Sequence, residues 1–214
     1  MLRLAALGLL LLGLGGCSTI SERTYYPAST DPTTRVLAEA LYRAARASSE
    51  DPARYSFAML ATAQVRAYTV DDATFYFSEG LARQPASVVD ALVAHEVAHE
   101  LLDHVGRRQA LSWSLTGGFT VLGFALPGLG LLDFVVNPLI VRAYTREQEL
   151  AADLRAVEVL RDMGYAEPRR ALAGALRAAA AVNEAPVRGP LATEPKLRQR
   201  LAALEPLEPV ALRR

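Results

Sequence analysis

All three histidines of the chain, His95, His99 and His104, fall within ten consecutive positions. The first two frame the sequence His-Glu-x-x-His, in an apolar stretch whose pattern indicates a helix. Residues four positions apart share one face of a helix, so His95 and His99 can present imidazole nitrogens to a single zinc ion. Glu96 lies beside them, within reach of a metal-bound water molecule but not placed as a third ligand.

A catalytic zinc ion needs three protein ligands and one open position, and no histidine outside this helix can complete the set. The candidate is Glu149, in the sequence Arg-Glu-Gln-Glu-Leu-Ala-Ala-Asp at 146–153. Asp153 shares a helix face with Glu149 and could hydrogen-bond the second nitrogen of a ligand histidine. The residues therefore predict one zinc ion per chain, although the same ligands could hold cobalt or manganese in vitro.

These residue types suit the hydrolysis of a peptide bond. A bound zinc ion lowers the pKa of its water toward about 7 and polarises a carbonyl group. Glu96 would take the proton of that water as general base and return it to the leaving amine. The competing interpretation is a solvated helix face whose two histidines are hydrogen-bonded and bind no metal.

Two predicted helices carry the side chains of this site. The helix of the histidines is predicted to begin at Ser87, with Asp90 at the capping-box distance, to run to about residue 104 and to stop near Gly106. The helix of the acidic residues is predicted to begin after Thr145, with Gln148 in the reciprocal capping position, and to stop at the glycine at position 164.

Further helices are predicted over residues 33–47, 168–181 and 196–204, and strands over residues 61–68 and 74–78. The helical segments have apolar positions on one face, whereas the strand segments are rich in Val, Thr, Tyr and Phe. The sequence therefore predicts an α+β fold, mostly helical, with a small sheet.

The His-Glu-x-x-His motif at 95–99, together with Glu-x-x-Ala-Asp at 149–153 and the preceding Tyr-Thr-Arg at 144–146, resembles the M48 family of zinc metallopeptidases. The resemblance covers roughly residues 36–204. It implies a zincin-like metallopeptidase domain in which the edge strand of a small sheet borders the cleft and pairs with the backbone of a polypeptide substrate.

The resemblance also assigns roles to residues. The two motif histidines and Glu149 are expected to be zinc ligands, Glu96 the catalytic base, and Asp153 and Arg146 supporting residues. The substrate strand is expected to be Thr74, Phe75, Tyr76, Phe77 and Ser78, followed by the Gly-Leu pair of the family at 80–81.

Two further positions need separate interpretation. His104 lies five positions after His99 and points away from the ligand face, so a structural or supporting role is expected rather than ligation. Residues 193–201 resemble a C-terminal Thr-His-Pro…Arg-Leu element of the family, with Glu194 in place of its histidine. An ionised glutamate cannot donate a hydrogen bond to an oxyanion, although it could cap the zinc as a fourth ligand. We expect Glu194 to alter regulation rather than to abolish zinc binding.

The N-terminus is typical of a secreted bacterial lipoprotein. Residues 1–16 read as a signal peptide, with Arg3 before an apolar run at 4–14. The following Leu-Gly-Gly-Cys resembles a lipobox and predicts that Cys17 is lipidated, which would anchor the protein to a membrane on the periplasmic side. Ser18 after the cysteine favours the outer over the inner membrane. An uncleaved signal anchor is the alternative, although the apolar run is short for a span.

The chain divides into four predicted parts, the first of which is the signal peptide at 1–16. Residues 17–32 hold the lipidated cysteine and a flexible tether, residues 33–206 form the metallopeptidase domain, and residues 207–214 are a C-terminal tail. Within the domain, residues 111–141 are predicted to be an apolar, glycine-rich helical insertion whose only ionisable residue is Asp133. A buried or membrane-touching hairpin is expected there, because a true span would separate the two halves of the metal site.

Composition narrows the function. The chain has 214 residues and a formal net charge of zero, which argues against nucleic acid as the main partner. Its single cysteine excludes an intrachain disulfide and a cysteine-based zinc site. The favoured function is a zinc-dependent endopeptidase that acts on unfolded or misassembled envelope proteins, with the quality-control role implied by the family resemblance. The alternatives are a membrane-tethered chaperone-like or assembly factor with a latent or self-blocked zinc site, and an integral membrane protease.

Overall fold

The computed structural model describes residues 24–26, 31–71, 73–104, 106, 144–183 and 197–209. Cys17, Glu194 and the apolar insertion at 111–141 lie outside the described residues, so the predictions that concern them stay predictions. The described part is α+β and mostly helical, with one mixed four-stranded sheet, which confirms the predicted fold class.

The described helices agree closely with the sequence pattern. They are α1 (Pro32–Ala47), α2 (Glu79–Ala82), α3 (Ala86–Leu101), α4 (Arg146–Asp162), α5 (Pro168–Val182) and α6 (Leu197–Ala203). The short helix α2 was not predicted, because four residues carry too little periodicity to be recognised. A 3₁₀ turn at Pro52–Arg54 follows α1.

The predicted cap of α3 is wrong. The helix begins one residue earlier than predicted, with Pro85 in the capping position and no side-chain cap. Asp90 instead lies buried against other elements, where its carboxylate accepts hydrogen bonds from Arg43 of α1 and from Tyr165 in the turn between α4 and α5. A polar side chain at a capping distance therefore serves here to join three helical segments.

The predicted cap of α4 is confirmed. The hydroxyl of Thr145 accepts from the backbone N–H of Gln148 at 3.2 Å, and the Gln148 side chain accepts from the backbone N–H of Thr145 at 2.9 Å. Gly164, two residues after the helix ends, has a φ of +94°, a conformation that favours glycine. Both ends of the helix that carries Glu149 are thus fixed by local sequence.

The sheet has the strand order β1-β2-β4-β3. Its strands are β1 (Thr24–Tyr25), β2 (Ser56–Leu60), β3 (Ala67–Asp71) and β4 (Thr74–Ser78). β2 and β4 are parallel, and the other two pairs are antiparallel. The strand predicted over residues 61–68 is largely a connecting segment, because short apolar runs do not by themselves locate strand boundaries. β1 also shows that part of the predicted tether pairs with the sheet.

The expectation that Thr74–Ser78 is the edge strand is wrong. β4 is hydrogen-bonded to β2 on one side and to β3 on the other, so both of its backbone edges are used. The edge strand next to the helices of the site is β3. Local composition could not reveal this, since a buried aromatic strand reads the same whichever neighbours it has.

Helix α3 lies at the centre of the fold and packs against α1, α4, α5 and β3. Every side chain from Val89 to His99 is buried, which agrees with a helix that is apolar on all sides. The core around it contains fully buried residues from the sheet and from the surrounding helices, among them Phe75, Phe77, Leu37, Leu160 and Leu172. The polar residues of α3 between Val89 and His99 are therefore held away from bulk water.

The ordered structure extends past the predicted domain boundary at residue 206. Glu208, placed by the sequence in the C-terminal tail, accepts hydrogen bonds from the backbone N–H groups of Arg169 (2.9 Å) and Arg170 (3.0 Å) in the first turn of α5. Its carboxylate thus caps a helix whose own N-cap residue, Glu167, makes no side-chain cap. Among the described residues, no helix is both long enough and apolar enough to cross a bilayer.

Candidate metal centre

Three side chains from two helices converge inside the fold. His95 and His99, one turn apart on α3, bring their Nε2 atoms to 3.2 Å from each other. Glu149 of α4 places one carboxylate oxygen 3.4 Å from His95 Nε2 and the other 3.6 Å from His99 Nε2. All three side chains are buried. The structure therefore brings together the three residues that the sequence predicted as ligands.

The separations fit a tetrahedral zinc ion. Zinc binds histidine nitrogen and carboxylate oxygen at about 2.0–2.2 Å, so two ligand atoms of a tetrahedral site lie about 3.4 Å apart. The three observed distances, 3.2, 3.4 and 3.6 Å, lie close to that value. Two histidines and one glutamate also form a ligand set known for catalytic zinc, with a fourth position left for water or substrate.

Asp153 holds the first ligand in orientation. Its Oδ1 atom lies 3.1 Å from His95 Nδ1, and the carboxylate is completely buried. A carboxylate accepts but does not donate when ionised, so the proton between them belongs to Nδ1 and the Nε2 lone pair is left for a metal. This is the contact that the sequence predicted for Asp153.

Arg200 of α6 is the site residue that the sequence reasoning missed. Its Nε and Nη2 atoms donate hydrogen bonds to the two carboxylate oxygens of Asp153, at 2.8 and 2.5 Å, which makes a bidentate arginine–carboxylate pair. Its Nη1 atom lies 3.4 Å from Glu149. The only signal was its position in the Arg-Leu pair of the C-terminal element, since the chain has many other basic residues.

Electrostatics favour ionised carboxylates around a cation. Burial works against charge on His95, as does Arg200, yet its bonds to Asp153 and Glu149 raise the pKa of His95 to about 9. Burial alone would raise the pKa of Asp153, but bonds from Arg200 and His95 lower it to about 2. Burial likewise opposes ionisation of Glu149, whose pKa is nevertheless lowered by His95 and Arg200. Deprotonated carboxylates are the state in which metal ligands bind.

Glu96 differs from the other two acidic residues. Burial raises the pKa of Glu96, and this outweighs the opposing effects of His95 and of a hydrogen bond from Thr69. The Thr69 hydroxyl of β3 lies 2.8 Å from Glu96 Oε2. A carboxyl group with a raised pKa is suited to accept and return a proton near neutral pH.

The second ligand histidine is supported by aromatic and imidazole groups. His104 is buried with Nδ1 at 3.0 Å from His99 Nδ1, so it contacts the ligand from the side away from Glu149. The ring of Tyr144 stacks on His99 with centroids 3.7 Å apart and an interplanar angle of 22°. The Tyr144 hydroxyl donates to the backbone oxygen of Thr69 at 3.0 Å. His104 therefore has the supporting role that was predicted, but not through its helical angle, because α3 ends at Leu101 and His104 lies beyond that end.

The remaining predicted site residues lie elsewhere. Arg146 is exposed in the first turn of α4, and within the described ranges Arg200 is the arginine that reaches the ligands. The proposed substrate strand is the internal strand β4. Cys17 and Glu194 fall outside the residues described.

Comparison with known protein families identifies the family of the chain. Comparison with curated protein sequences gives no match. The sequence model of Peptidase family M48 matches residues 30–208, which include every described residue of the metal centre. The match covers most of the 214-residue chain and agrees with the geometry of the two histidines and the glutamate. The chain belongs to Peptidase family M48, a family of metallopeptidases.

Proposed function

We propose that the protein is a zinc-dependent endopeptidase that hydrolyses peptide bonds of bacterial envelope proteins. The observation that carries the proposal is the placement of a buried glutamate, Glu96, directly beside a ligand of a three-residue centre that fits zinc. Membership of a metallopeptidase family supports the reaction class. The N-terminal sequence supports envelope proteins as the substrates, and the family resemblance supports a role of the enzyme in quality control.

In this proposal, His95, His99 and Glu149 hold one zinc ion per chain. A zinc ion held there would activate a water molecule and polarise a substrate carbonyl group. Glu96 would accept a proton on the carboxylate oxygen that Thr69 leaves unbonded and would return it to the leaving nitrogen. Asp153 and Arg200 hold the imidazole of His95 in place throughout.

The edge of β3 that faces away from β4 is the proposed binding site for the substrate backbone. Arg66 and Ser78 form a hydrogen-bonded pair, with the Ser78 N–H donating to the Arg66 oxygen at 3.0 Å. Pairs alternate along an antiparallel ladder, so the backbone groups of Ala67 and Thr69 face away from β4. An extended peptide could pair there by backbone hydrogen bonds, which would tolerate many side chains.

The cellular setting is likewise proposed from the sequence. The signal-like residues 1–16 and the lipobox-like segment ending at Cys17 support a lipid anchor in the periplasm, at the outer rather than the inner membrane. A tethered enzyme would meet unfolded or misassembled envelope proteins near that membrane. Labelling with a radioactive fatty acid, lost in a Cys17→Ala variant, tests the anchor.

The decisive experiment compares full-length wild type with Glu96→Gln on an unfolded protein substrate, with zinc content measured on both. We expect about one zinc ion in each protein, and cleavage at least about 100-fold slower in the variant because the general base is lost. Glu147→Gln, the same change at an exposed position of α4, serves as the control and should cleave normally. Zinc binding without cleavage by the wild type would contradict the enzyme and favour the latent or chaperone-like alternative.

A further inference from the structure

Thr69 of β3 reaches across the fold to the proposed base. Its side chain is 1% exposed, and its Oγ1 atom lies 2.8 Å from Oε2 and 3.1 Å from the backbone oxygen of Glu96. A threonine hydroxyl has one hydrogen to donate, and the shorter contact is with the carboxylate. In the part of the chain described, no other side chain hydrogen-bonds the Glu96 carboxylate.

We propose that Thr69 is a positioning residue for Glu96, and this inference rests on the proposed peptidase function. A glutamate side chain has three torsions, so an unrestrained carboxylate samples several orientations. The Thr69 hydroxyl fixes Oε2, so Oε1 is the oxygen that remains to accept a proton. Because threonine branches at Cβ, its own side chain is stiff and holds the hydroxyl in one direction.

The same residue also links the base to the second ligand histidine. The backbone oxygen of Thr69 faces away from β4 and accepts from the hydroxyl of Tyr144, which in turn stacks on His99. Thr69 therefore contacts the base through its side chain, and through its backbone it contacts a residue packed on a metal ligand.

A purely structural role for Thr69 makes different predictions. If the hydroxyl only satisfies a buried polar group, its removal should lower stability and zinc content without a specific effect on turnover. If it positions Glu96, its removal should lower kcat while KM and zinc content stay close to those of the wild type. The two variants that separate these roles are Thr69→Val, which keeps the branched shape, and Thr69→Ser, which keeps the hydroxyl.

The test uses zinc-loaded, full-length protein in detergent. We expect Thr69→Val to lower kcat about 10- to 100-fold, with KM within about twofold of the wild type, because a misplaced base loses reaction geometry. Thr69→Ser should restore most of kcat, and both variants should bind zinc as the wild type does. A wild-type kcat in Thr69→Val would overturn the proposal. So would equal losses of zinc and activity in both variants.

The contact between Thr69 and Glu96 can also be tested without an activity assay. This second test still applies if the protein proves not to be a peptidase. In a double-mutant cycle on unfolding, Thr69→Val should raise the unfolding equilibrium constant about tenfold more when Glu96 is present than in a Glu96→Ala background. Additive effects would overturn the pairing. If the wild type binds zinc but cleaves nothing while this coupling is present, the peptidase function is wrong and the Thr69–Glu96 contact stands.

Discussion

The two ligand histidines are held by different partners. The Nδ1 atom of His95 faces the carboxylate of Asp153 at 3.1 Å, whereas that of His99 faces the imidazole of His104 at 3.0 Å. An ionised carboxylate polarises an imidazole more strongly than a neutral imidazole does, so His95 should be the more basic ligand. Asp153 should therefore contribute more to zinc affinity than His104.

Asp153→Asn should weaken zinc binding at least about tenfold, the usual effect of losing a carboxylate behind a metal-bound histidine. The variant keeps the shape of the side chain but removes the charge that opposes Arg200, so a cation in the site becomes less favourable. Competition with a chromophoric zinc chelator measures the affinity. Asp162→Asn, at the exposed end of α4, is the matched control. Equal affinities for Asp153→Asn and wild type would rule out this role.

At the scale of elements, two helical glycines differ in the space available for a side chain. A Cβ atom on Gly80, in α2, would lie 2.2 Å from the backbone oxygen of Ala63 and 2.3 Å from that of Gln64. Gly174 lies inside α5, where an added Cβ meets nothing within 4 Å. The first glycine permits a close approach between α2 and the segment before β3, whereas the second has no steric role.

Gly80→Ala should lower the free energy of unfolding by about 1–3 kcal/mol, because rigid backbone atoms must move to admit the methyl group. Gly174→Ala should raise it by about 0.5–1 kcal/mol, because alanine favours the helix more than glycine. Urea denaturation of both variants measures the difference. If Gly80→Ala leaves the free energy of unfolding unchanged, α2 can shift away from residues 63–64 without loss of stability.

The cap on α5 predicts a pH-dependent contribution. Burial slightly opposes ionisation of Glu208, but the backbone N–H groups at the start of α5 lower the pKa of Glu208 below its unfolded value. A lowered folded pKa stabilises the fold above the unfolded value of about 4.3, and the contribution is lost as pH falls through the folded value.

Glu208→Gln should therefore lower the free energy of unfolding by about 1 kcal/mol at pH 7. The loss should be smaller at pH 3, which lies below the unfolded pKa, so that part of the stabilisation by the wild-type carboxylate is already gone. Metal-free protein should be compared at both pH values, so that loss of zinc does not contribute. Glu147→Gln provides the control for an exposed glutamate. A difference of the same size at both pH values would show that charge is not what caps the helix.

At the scale of the whole molecule, the metal centre joins α3 and α4 at the middle of the fold. α3 supplies two ligands and α4 the third, and α6 brings Arg200 against both the third ligand and Asp153. The three helices come from separate parts of the chain. A metal ion bound at this point would link segments that are far apart in sequence, and should stabilise the fold as well as serve catalysis.

Removal of zinc should lower the melting temperature. Zinc present at about 1,000 times its Kd stabilises a fold by about 4 kcal/mol, which corresponds to a shift of roughly 10 °C for a chain of this size. Thermal unfolding before and after treatment with EDTA measures the shift, and added zinc should reverse it. His99→Ala should melt at the same temperature with and without EDTA. An EDTA-insensitive wild type would exclude a zinc ion that links α3 and α4.

The sequence by itself determined the chemistry of the centre and most of the helices. The spacing of His95 and His99, the base between them and the cap at Thr145 are local features, because helix geometry relates residues only three or four positions apart. Glu149 could also be inferred, since the motif needs a third ligand and only a carboxylate was available.

The tertiary structure alone decided which strand forms the edge and which distant residues complete the centre. β3 rather than β4 borders the helices, and no periodicity within a strand records its neighbours. Arg200 is 47 positions from Asp153, and Thr69 is 27 positions from Glu96. Contacts at such separations arise from how the elements pack, so the local patterns that identify an element do not specify them.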